Sequence, residues 1–490
     1  MNTLRKYLTF GLLFIGICYS PLSLAQQSNS MYFMDRIPQS NQLNPATQPQ
    51  CGFYIGFPGF SSFEINAGNS AISFNDVLQK MPGLGDSLVW PLYNQDTKTK
   101  FLSNFSDVNY INSDFRNDWI SFGFRIKNTY LSFSAGDRSE SYGFIPKDLV
   151  KLGLDLNYSN QTPGSFDLSN FGVKAQWYRE YAIGVSQQIN PNFTFGLRAK
   201  LLFGIASLAT TNSEVRLNNT GPMSWQTQSI IDMNSSVPNL ELKYKSNGDV
   251  DFDSIDFKSI DGYSDAKGII FNTSNTGFAV DLGVISQPLK NLSISASVLD
   301  LGFIRWKSNV NNFSQSGSYN FRGVDIPLDD SIDTGDALKD TLEKVYAVNT
   351  NHDPFTTSLT GKLYVGVHYQ LIKGIGFGAL TRLQMLRNNI KPQFTFSLNL
   401  DPGKTFSATI SYTIANGVYD NLGLGIATRL GPFQYYIICD RIPLFYNWEK
   451  SGYPIPAYAK NINFRTGINF VFGCTRNKKA LKNKPLLPSE

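Results

Sequence analysis

The sequence lacks most of the features that mark an enzyme or a nucleic-acid-binding protein. Its 490 residues include only two histidines, His352 and His368, and we find no Gly-x-Ser-x-Gly motif, His-x-x-x-His pair or phosphate-binding glycine loop. A lone inward-facing histidine is more often a hydrogen-bonding group than a general base. Charged residues make up 17% of the chain, and the net charge of +5 forms no basic stripe with interleaved aromatics. We therefore expect no enzymatic activity, no cofactor and no nucleic-acid partner.

Long apolar runs and clustered cysteines are also missing. Beyond the first 25 residues no run approaches the roughly 18 apolar residues of a membrane-spanning helix. The cysteines after that point are Cys51, Cys439 and Cys474, which are far apart, odd in number and without metal-ligand spacing. We therefore expect neither a disulfide framework nor a zinc site. Cys439 shares a strand face with Phe433 and Tyr435 and is expected to be a small lipid-facing residue.

The N-terminus has the organisation of a secretory signal peptide. Arg5 and Lys6 precede an apolar core at residues 7–18, and Ser23-Leu24-Ala25 provides a small-residue cleavage site. We predict cleavage after Ala25. An exported chain without a membrane-spanning helix is either soluble or a β-barrel, since only a closed barrel satisfies every backbone amide in lipid without helices.

What the sequence does contain is alternation rich in aromatic residues, with 37 Phe and 24 Tyr. In residues 461–472, Ile462, Phe464, Ile468, Phe470 and Phe472 fall on one face, and polar residues with Gly467 fall on the other. An apolar outer face and a polar inner face are typical of a strand in a membrane β-barrel. The alternative is the last strand of a soluble sandwich.

Counting strands along the chain favours the barrel. Tight turns alternate with long connections, which is the periplasmic and extracellular pattern of outer-membrane barrels. The long connections are residues 58–118, 136–170, 209–276, 305–357 and 440–460. We predict an all-β, antiparallel, up-and-down transmembrane barrel, a monomer of about 14 strands. The strands are residues 51–57, 119–126, 129–135, 171–189, 193–208, 277–286, 292–304, 358–371, 375–386, 392–400, 405–415, 422–429, 433–439 and 461–472.

Four segments follow from this count. They are a signal peptide at residues 1–25, an N-terminal periplasmic or plug segment at 26–50, the barrel at 51–472 and a basic periplasmic tail at 473–490. Within the long connections, residues 223–232 and 239–246 predict an extra hairpin above the membrane. Residues 333–348 carry apolar side chains at helical spacing and predict a helix.

The end of the barrel resembles a known assembly signal. Arg465, Gly467, Phe470 and Phe472 occupy the polar, glycine and two aromatic positions of the C-terminal signal of bacterial outer-membrane barrels. This resemblance implies an outer-membrane location, contact with outer-membrane lipid and a transient partnership with the barrel-assembly machinery.

Three further stretches carry a resemblance to a protein family. They are residues 31–60 with Asn44-Pro45-Ala46, the strand 119–125 and the segment 145–149. The chain resembles a Bacteroidota outer-membrane β-barrel family of unknown function, and more remotely the long-chain fatty-acid transporter (FadL) superfamily that includes PorV. The resemblance implies a 14-stranded barrel in which Asn44, Pro45 and Ala46 belong to a plug or hatch.

Alternation places a set of charged residues inside the lumen, because exposure of charge to lipid is costly. The basic excess of this set suits an anionic solute or a carboxylate headgroup, and it equally suits an acidic plug. The other interpretation is structural, with ion pairs that bridge the lumen and pin a plug. The lumen or binding candidates are Arg125, Glu180, Arg198, Lys200, Asp281, His368, Arg382, Arg429 and Arg465.

Metal binding has weak support. Asp249, Asp251, Asp253 and Asp256 resemble the alternating carboxylates of a calcium loop, but Ser254 replaces its glycine and Ile260 its final glutamate. A solvated acidic loop is the better interpretation, so we predict no metal site.

Two functional hypotheses remain. The first is an outer-membrane barrel that binds or passes small hydrophobic or amphipathic molecules, as FadL-like transporters do. The second is a PorV-like, non-enzymatic accessory or scaffold barrel of a secretion, assembly or surface complex. The first needs a hydrophobic ligand and the second a protein partner, and fold alone does not choose between them.

Overall fold

The fold was obtained as a computed structural model. It describes residues 29–80, 88–91, 93–155, 164–221, 224–243, 250, 256–258, 262–321, 348–386, 389–403, 405–415, 418–442, 446–448, 454–456 and 460–474. The predicted signal peptide, residues 333–347 of the predicted helix, Asp249, Asp251, Asp253 and nearly all of the basic tail lie outside these residues. The last residue of that predicted helix, Val348, lies in a strand.

Fourteen antiparallel strands close into a barrel, as predicted. Each strand pairs with its sequence neighbour, and β14 pairs with β1 to close the ring, with Phe472 opposite Phe53. The strands are β1 (Phe53–Gly56 and Ser62–Asn69), β2 (Val108–Ile126), β3 (Thr129–Pro146), β4 (Gly172–Asn190), β5 (Phe193–Gly221), β6 (Thr276–Leu289), β7 (Leu292–Trp306), β8 (Phe355–Ser358 and Lys362–Ile372), β9 (Ile375–Leu386), β10 (Asn389–Leu400), β11 (Phe406–Ala415), β12 (Val418–Leu430), β13 (Phe433–Ile442) and β14 (Asn461–Phe472).

The two faces of the wall differ as alternation predicts. On β11, Phe406, Ile410 and Tyr412 are exposed on the outer face, whereas the serine and threonine side chains between them are buried in the lumen. Large apolar side chains are exposed on nearly all of the remaining strands as well. A continuous apolar band around a polar interior is the surface of a barrel that lies in lipid. No helix among the described residues is long and apolar enough to span a membrane.

Several predicted loops are strands instead. Residues 58–118 contain the second part of β1 and the first half of β2, and β3 and β5 continue well beyond Ala135 and Leu208. These extensions carry polar side chains on both faces, as in the adjacent residues Ser113 and Asp114 of β2. Such a segment leaves the apolar layer and pairs in water, so it has no reason to alternate.

The long end of β5 supports a sheet outside the barrel. Ser224–Ser236 pairs with β5 on one side and with Val310–Phe321 on the other. Gly164–Asp167 then pairs with β5, and Val348–Asn351 pairs with Val310–Phe321. We call these strands the outer sheet. The predicted hairpin between residues 223–232 and 239–246 is therefore wrong, because the projecting edge of β5 offers a much longer ladder of backbone hydrogen bonds. Leu240–Glu241 pairs with Asp256–Phe257 instead.

The remaining elements are short. Helices span Phe74–Val77, Gln95–Ser103, Lys147–Asp155 and Tyr263–Ile270, and 3-10 turns span Asn29–Phe33 and Pro38–Gln42. Gln79–Lys80 pairs with Leu88–Val89, and Tyr446–Trp448 pairs with Pro454–Pro456.

The structure also contains a disulfide bond that the spacing of the cysteines did not predict. Cys51 and Cys474 are joined across a sequence separation of 423 residues. Barrel closure is the reason, since Cys51 precedes β1, Cys474 follows β14, and these strands are neighbours. Cys439 is free and half-buried on the same outer face as Phe433 and Tyr435.

Candidate functional site

Residues 29–50 lie inside the barrel, and we call them the plug. Two 3-10 turns fold the plug into a compact segment, and Pro38 begins the second of them. Met31, Met34 and Ile37 are at most 3% exposed and belong to one cluster with Tyr436 and Ile438 of the wall. The plug therefore shares an apolar core with one side of the barrel wall.

The Asn44-Pro45-Ala46 segment rests on wall glycines. The Asn44 carboxamide accepts a hydrogen bond from the Ala46 amide at 2.9 Å and donates one to the Tyr32 hydroxyl at 3.1 Å. A Cβ atom at Gly196 would lie 2.1 Å from the carbonyl carbon of Pro45, so only glycine allows this approach. These contacts place the segment in the lumen. Its role as a hatch stays a prediction.

Glutamines join the plug to the wall. Gln42 donates to Asp118 at 2.8 Å and accepts from Arg465 at 2.6 Å, and Arg465 also pairs with Glu64 at 3.2 Å. Arg465, a predicted lumen residue, thus holds the plug through an uncharged side chain rather than through an acidic one.

Beside Gln42 the wall carries an ionic network. Arg138 lies 2.5 Å from Asp118 and 3.1 Å from Glu180, and Arg198 also reaches Glu180, at 3.0 Å. Each buried charge in such a network needs an oppositely charged partner, because its removal from water is costly in free energy. The network continues through Lys200 to Asp281 at 2.7 Å and Asp300 at 2.5 Å, and through Lys362 to Asp300 at 2.8 Å and Glu140 at 3.3 Å.

The structure unites only some of the predicted lumen residues. Glu180, Arg198, Lys200 and Asp281 belong to the ionic network, and Arg465 lies next to it at the plug. The other four contact different parts of the lumen. Arg382 donates to Gln384 and Gln393, Arg125 donates to the Pro49 carbonyl at 2.6 Å, the His368 ring lies 5.5 Å from that of Phe33, and Arg429 lies 3.9 Å from the sulfur of Cys51.

Sequence reasoning missed many of the charged residues in and beside the network. Six of them lie where a loop was predicted: Glu64, Asp114, Arg116, Asp118, Arg138 and Glu140. Lys362 lies on a correctly predicted strand and was identifiable by alternation. Asp300 was not, because it lies at a bulge of β7, where its φ of 60° and a shift in register break the alternation.

A small cavity of about 60 Å³ lies between the plug and this network. Such a volume holds a few water molecules rather than a hydrocarbon chain. The charge of this lining is balanced, in contrast to the basic excess among the predicted lumen residues. Its charged residues are five acids, Glu64, Asp114, Glu140, Glu180 and Asp300, and five bases, Arg116, Arg138, Lys200, Lys362 and Arg465.

The wall is interrupted once within β1, at residues 57–61, which we call the wall break. Ile55 faces Phe122 and Ser62 faces Asp118, so the six residues between Ile55 and Ser62 stand opposite three of β2. The excess chain bulges outwards, and the Phe57 side chain is 44% exposed on the apolar face. Backbone hydrogen bonds from Phe57 to Ile468 and from Gly59 to Trp119 keep the bulge sealed.

The plug lies directly behind the wall break. Gln39 donates to the Ser61 carbonyl at 3.2 Å and exchanges two hydrogen bonds with Asn469, at 2.6 and 3.0 Å. Gln39 is fully buried. A movement of the plug would therefore free the inner side of the bulge.

Neither a metal cluster nor a catalytic arrangement is evident in the described part of the chain. No group of three or more His, Cys, Asp or Glu residues there is placed to hold a metal ion. His352 bonds through Nδ1 to the Val310 carbonyl at 2.7 Å, in a position outside the lumen network.

A sequence comparison identifies the family. The model of a family of unknown function (DUF5723) matches residues 45–440. The chain belongs to this family. The match covers most of the barrel and begins within the Asn44-Pro45-Ala46 segment. No curated protein matches the chain.

Comparison with solved structures finds other barrels at low similarity. The Ralstonia pickettii toluene transporter TbuX is 8% identical, with a TM-score of 0.39 over 89% of this chain and 94% of that one. The Pseudomonas putida toluene transporter TodX is 8% identical, with a TM-score of 0.34 over 91% and 93%. A Pseudomonas aeruginosa FadL homologue is 9% identical, with a TM-score of 0.37 over 93% and 100%.

Proposed function

We propose that the protein is a non-enzymatic outer-membrane barrel that passes small hydrophobic or amphipathic molecules between the membrane and its lumen. In this proposal the signal peptide is removed after Ala25 and the plug closes the lumen. The wall break carries the proposal. It is the place where the outer apolar face and the inner surface of the barrel are separated by excess chain rather than by a regular strand.

The surroundings of the wall break support an apolar entry point. Phe57 lies 6.4 Å from Phe470, and Phe60 stacks with Phe63 at 6.1 Å. These aromatic rings offer contacts to an apolar solute in the membrane. Behind them Gly56 and Gly467 leave no room for larger side chains, so the inner side is filled by Ser61 and the plug.

The plug supports closure rather than a permanent channel. Its apolar residues bury the equivalent of several core side chains, each stabilising by about 1.5–3 kcal/mol. Passage therefore requires a displacement of the plug, which can be prevented covalently.

The test is a covalent lock between the plug and the wall. Gln39→Cys and Asn469→Cys replace two side chains in direct contact, in a Cys439→Ser background. The variant is expressed in cells without their own fatty-acid transporter, and uptake of a radiolabelled long-chain fatty acid is measured. We expect uptake with the wild type, loss in the oxidised double variant and recovery after mild reduction. Wild-type cells that take up no more than empty cells would contradict transport.

The second candidate is the accessory or scaffold barrel, and the outer sheet favours it. Ser224–Ser236 and Val310–Phe321 form a mostly polar surface beyond the barrel, and the plug already fills the lumen beside the wall break. Deletion of the outer sheet separates the candidates. If the protein is a scaffold, the deletion should remove a co-purifying partner, and no uptake is expected with or without the outer sheet. If it is a transporter, uptake should persist after the deletion.

A further inference from the structure

A row of polar side chains lies beside the cavity on three neighbouring strands, β1, β2 and β3. Asn66 of β1 stands directly opposite Asp114 of β2, and Asp114 stands directly opposite Glu140 of β3. All three side chains face the lumen and are at most 8% exposed. Like charges directly opposite each other on adjacent strands destabilise a sheet. Asp114 and Glu140 therefore need a compensating positive charge.

The charged residues of the network supply that charge incompletely. Lys362 lies 3.3 Å from Glu140 but is shared with Asp300 at 2.8 Å. Asp114 takes part in none of the ion pairs of the network, and its Oδ2 atom accepts hydrogen bonds from the amides of Asn66 and Asn112 instead. Arg382 acts on Asp114 only at a distance, and its guanidinium donates to the neutral side chains of Gln384 and Gln393.

The unused atoms of the row are all oxygens. Oδ1 of Asp114, Oε2 of Glu140 and Oδ1 of both Asn66 and Asn112 are buried without a hydrogen-bond donor among the described residues. A buried acceptor without a partner is costly. Oxygen donors of this kind, two of them carboxylates, are the ligands that hard cations prefer. Asp114 and Glu140 also line the cavity, which has room for coordinating water.

We propose that this row binds a hard metal cation, held by Asp114 and Glu140 and completed by amide oxygen and cavity water. The two carboxylates lie side by side, and Lys362, the base in ion-pair contact with Glu140, is shared with Asp300, so a singly charged cation suits the site. Sodium has that charge and that ligand preference. The proposal differs from the rejected calcium loop at Asp249, Asp251 and Asp253, and it does not depend on what the barrel passes.

The test measures the heat denaturation of the full-length barrel purified in detergent. At constant pH and ionic strength, we expect sodium chloride to raise the midpoint by several degrees relative to choline chloride, because a ligand that binds only the folded state stabilises it. Potassium and calcium chlorides establish which hard cation acts. An equal midpoint in all these salts would overturn the proposal.

Two variants identify the site. Asp114→Asn keeps the shape of the side chain and should abolish the difference between sodium and choline. Glu180→Gln is the matched control, since it removes another buried lumen carboxylate that already pairs with Arg138 and Arg198. We expect it to lower the midpoint in both salts and to keep their difference. A difference that survives in Asp114→Asn would contradict the site. The proposal would also be contradicted if acidification in choline chloride raised the midpoint as much as sodium does, because a proton would then occupy the carboxylate pair.

Discussion

Two sides of the barrel wall line the lumen with different chemistry. On one side, β2 to β5 are 18 to 29 residues long and place the paired acids and bases of the ionic network in the lumen. On the other side, β10 to β12 are 10 to 13 residues long, and β11 presents only small neutral side chains inwards: Ser407, Thr409, Ser411, Thr413 and Ala415. Two bases, Lys391 of β10 and Arg429 of β12, also face the lumen, but neither belongs to the ionic network. We call these the charged side and the neutral side.

The difference explains how the plug is held. A charged wall is stable only if its ions are satisfied by one another, so it offers the plug a few directed contacts such as that of Gln42. A wall of small neutral side chains allows the plug to bury apolar residues, as Met34 does against Gly425 and Thr409. The charged side should therefore control the stability of the barrel, and the neutral side the docking of the plug.

The largest effect is expected on the charged side. Arg138→Ala removes the base that bridges Asp118 and Glu180 and leaves two buried carboxylates with less positive charge around them. We expect a loss of about 3–5 kcal/mol in the free energy of unfolding, measured by denaturant titration of the folded band on a gel. Lys151→Ala is the control. It breaks a partly exposed ion pair with Asp148 at 2.8 Å and should change stability by less than about 1 kcal/mol. Equal effects of the two variants would show that the network is not structural.

The next effect separates plug docking from barrel stability. Ile37 is fully buried in the apolar cluster, and Ile37→Ala should weaken docking by about 2–4 kcal/mol through lost burial and a cavity. The readout is hydrogen exchange of residues 29–50, which should rise while that of β2 and β3 stays unchanged. Gln50→Ala alters an exposed plug residue and serves as the control. Faster exchange throughout the barrel would contradict an independently docked plug.

The contrast between the two sides also shows what the sequence was able to predict. On the neutral side and at the end of the chain, strands cross only the membrane, so the alternation of apolar and polar residues delimits them. The predicted bounds of β9 and β14 match the structure. On the charged side the strands continue into water, where both faces are polar and the period of two disappears. The first half of β2 was therefore taken for a loop.

The candidate site was predicted in part for the same reason. Alternation identified Glu180, Arg198 and Lys200, which lie within the membrane-crossing parts of β4 and β5. It did not identify Asp118 or Arg138, which lie in the extensions of β2 and β3. Pairing across strands, and the disulfide between Cys51 and Cys474, depend on which strands become neighbours at barrel closure. A single sequence does not give that register.

A smaller effect tests the close approach of the plug to β5. Gly196→Ala places a Cβ atom 2.1 Å from the Pro45 carbonyl carbon, so the plug or the strand must shift, at a cost of about 1–3 kcal/mol. We expect protease cleavage within residues 29–50 to accelerate. Gly143→Ala is the matched control in β3, because its Cβ atom would meet nothing within 4 Å. Equal cleavage of the two variants would show that the plug does not depend on this contact.

The smallest effect concerns the end of the charged side where Arg179 joins the wall to the helix Tyr263–Ile270. Its guanidinium lies 4.1 Å from the Trp119 ring and 4.7 Å from the Phe271 ring, and it donates to the Ile270 carbonyl at 2.7 Å. Arg179→Lys keeps the charge but loses the planar stacking, which contributes about 0.5–2 kcal/mol. Hydrogen exchange of Tyr263–Ile270 should rise several-fold, with no change in the plug. If plug exchange rose as well, the charged and neutral sides would be coupled through the lumen, and the separation of their roles would fail.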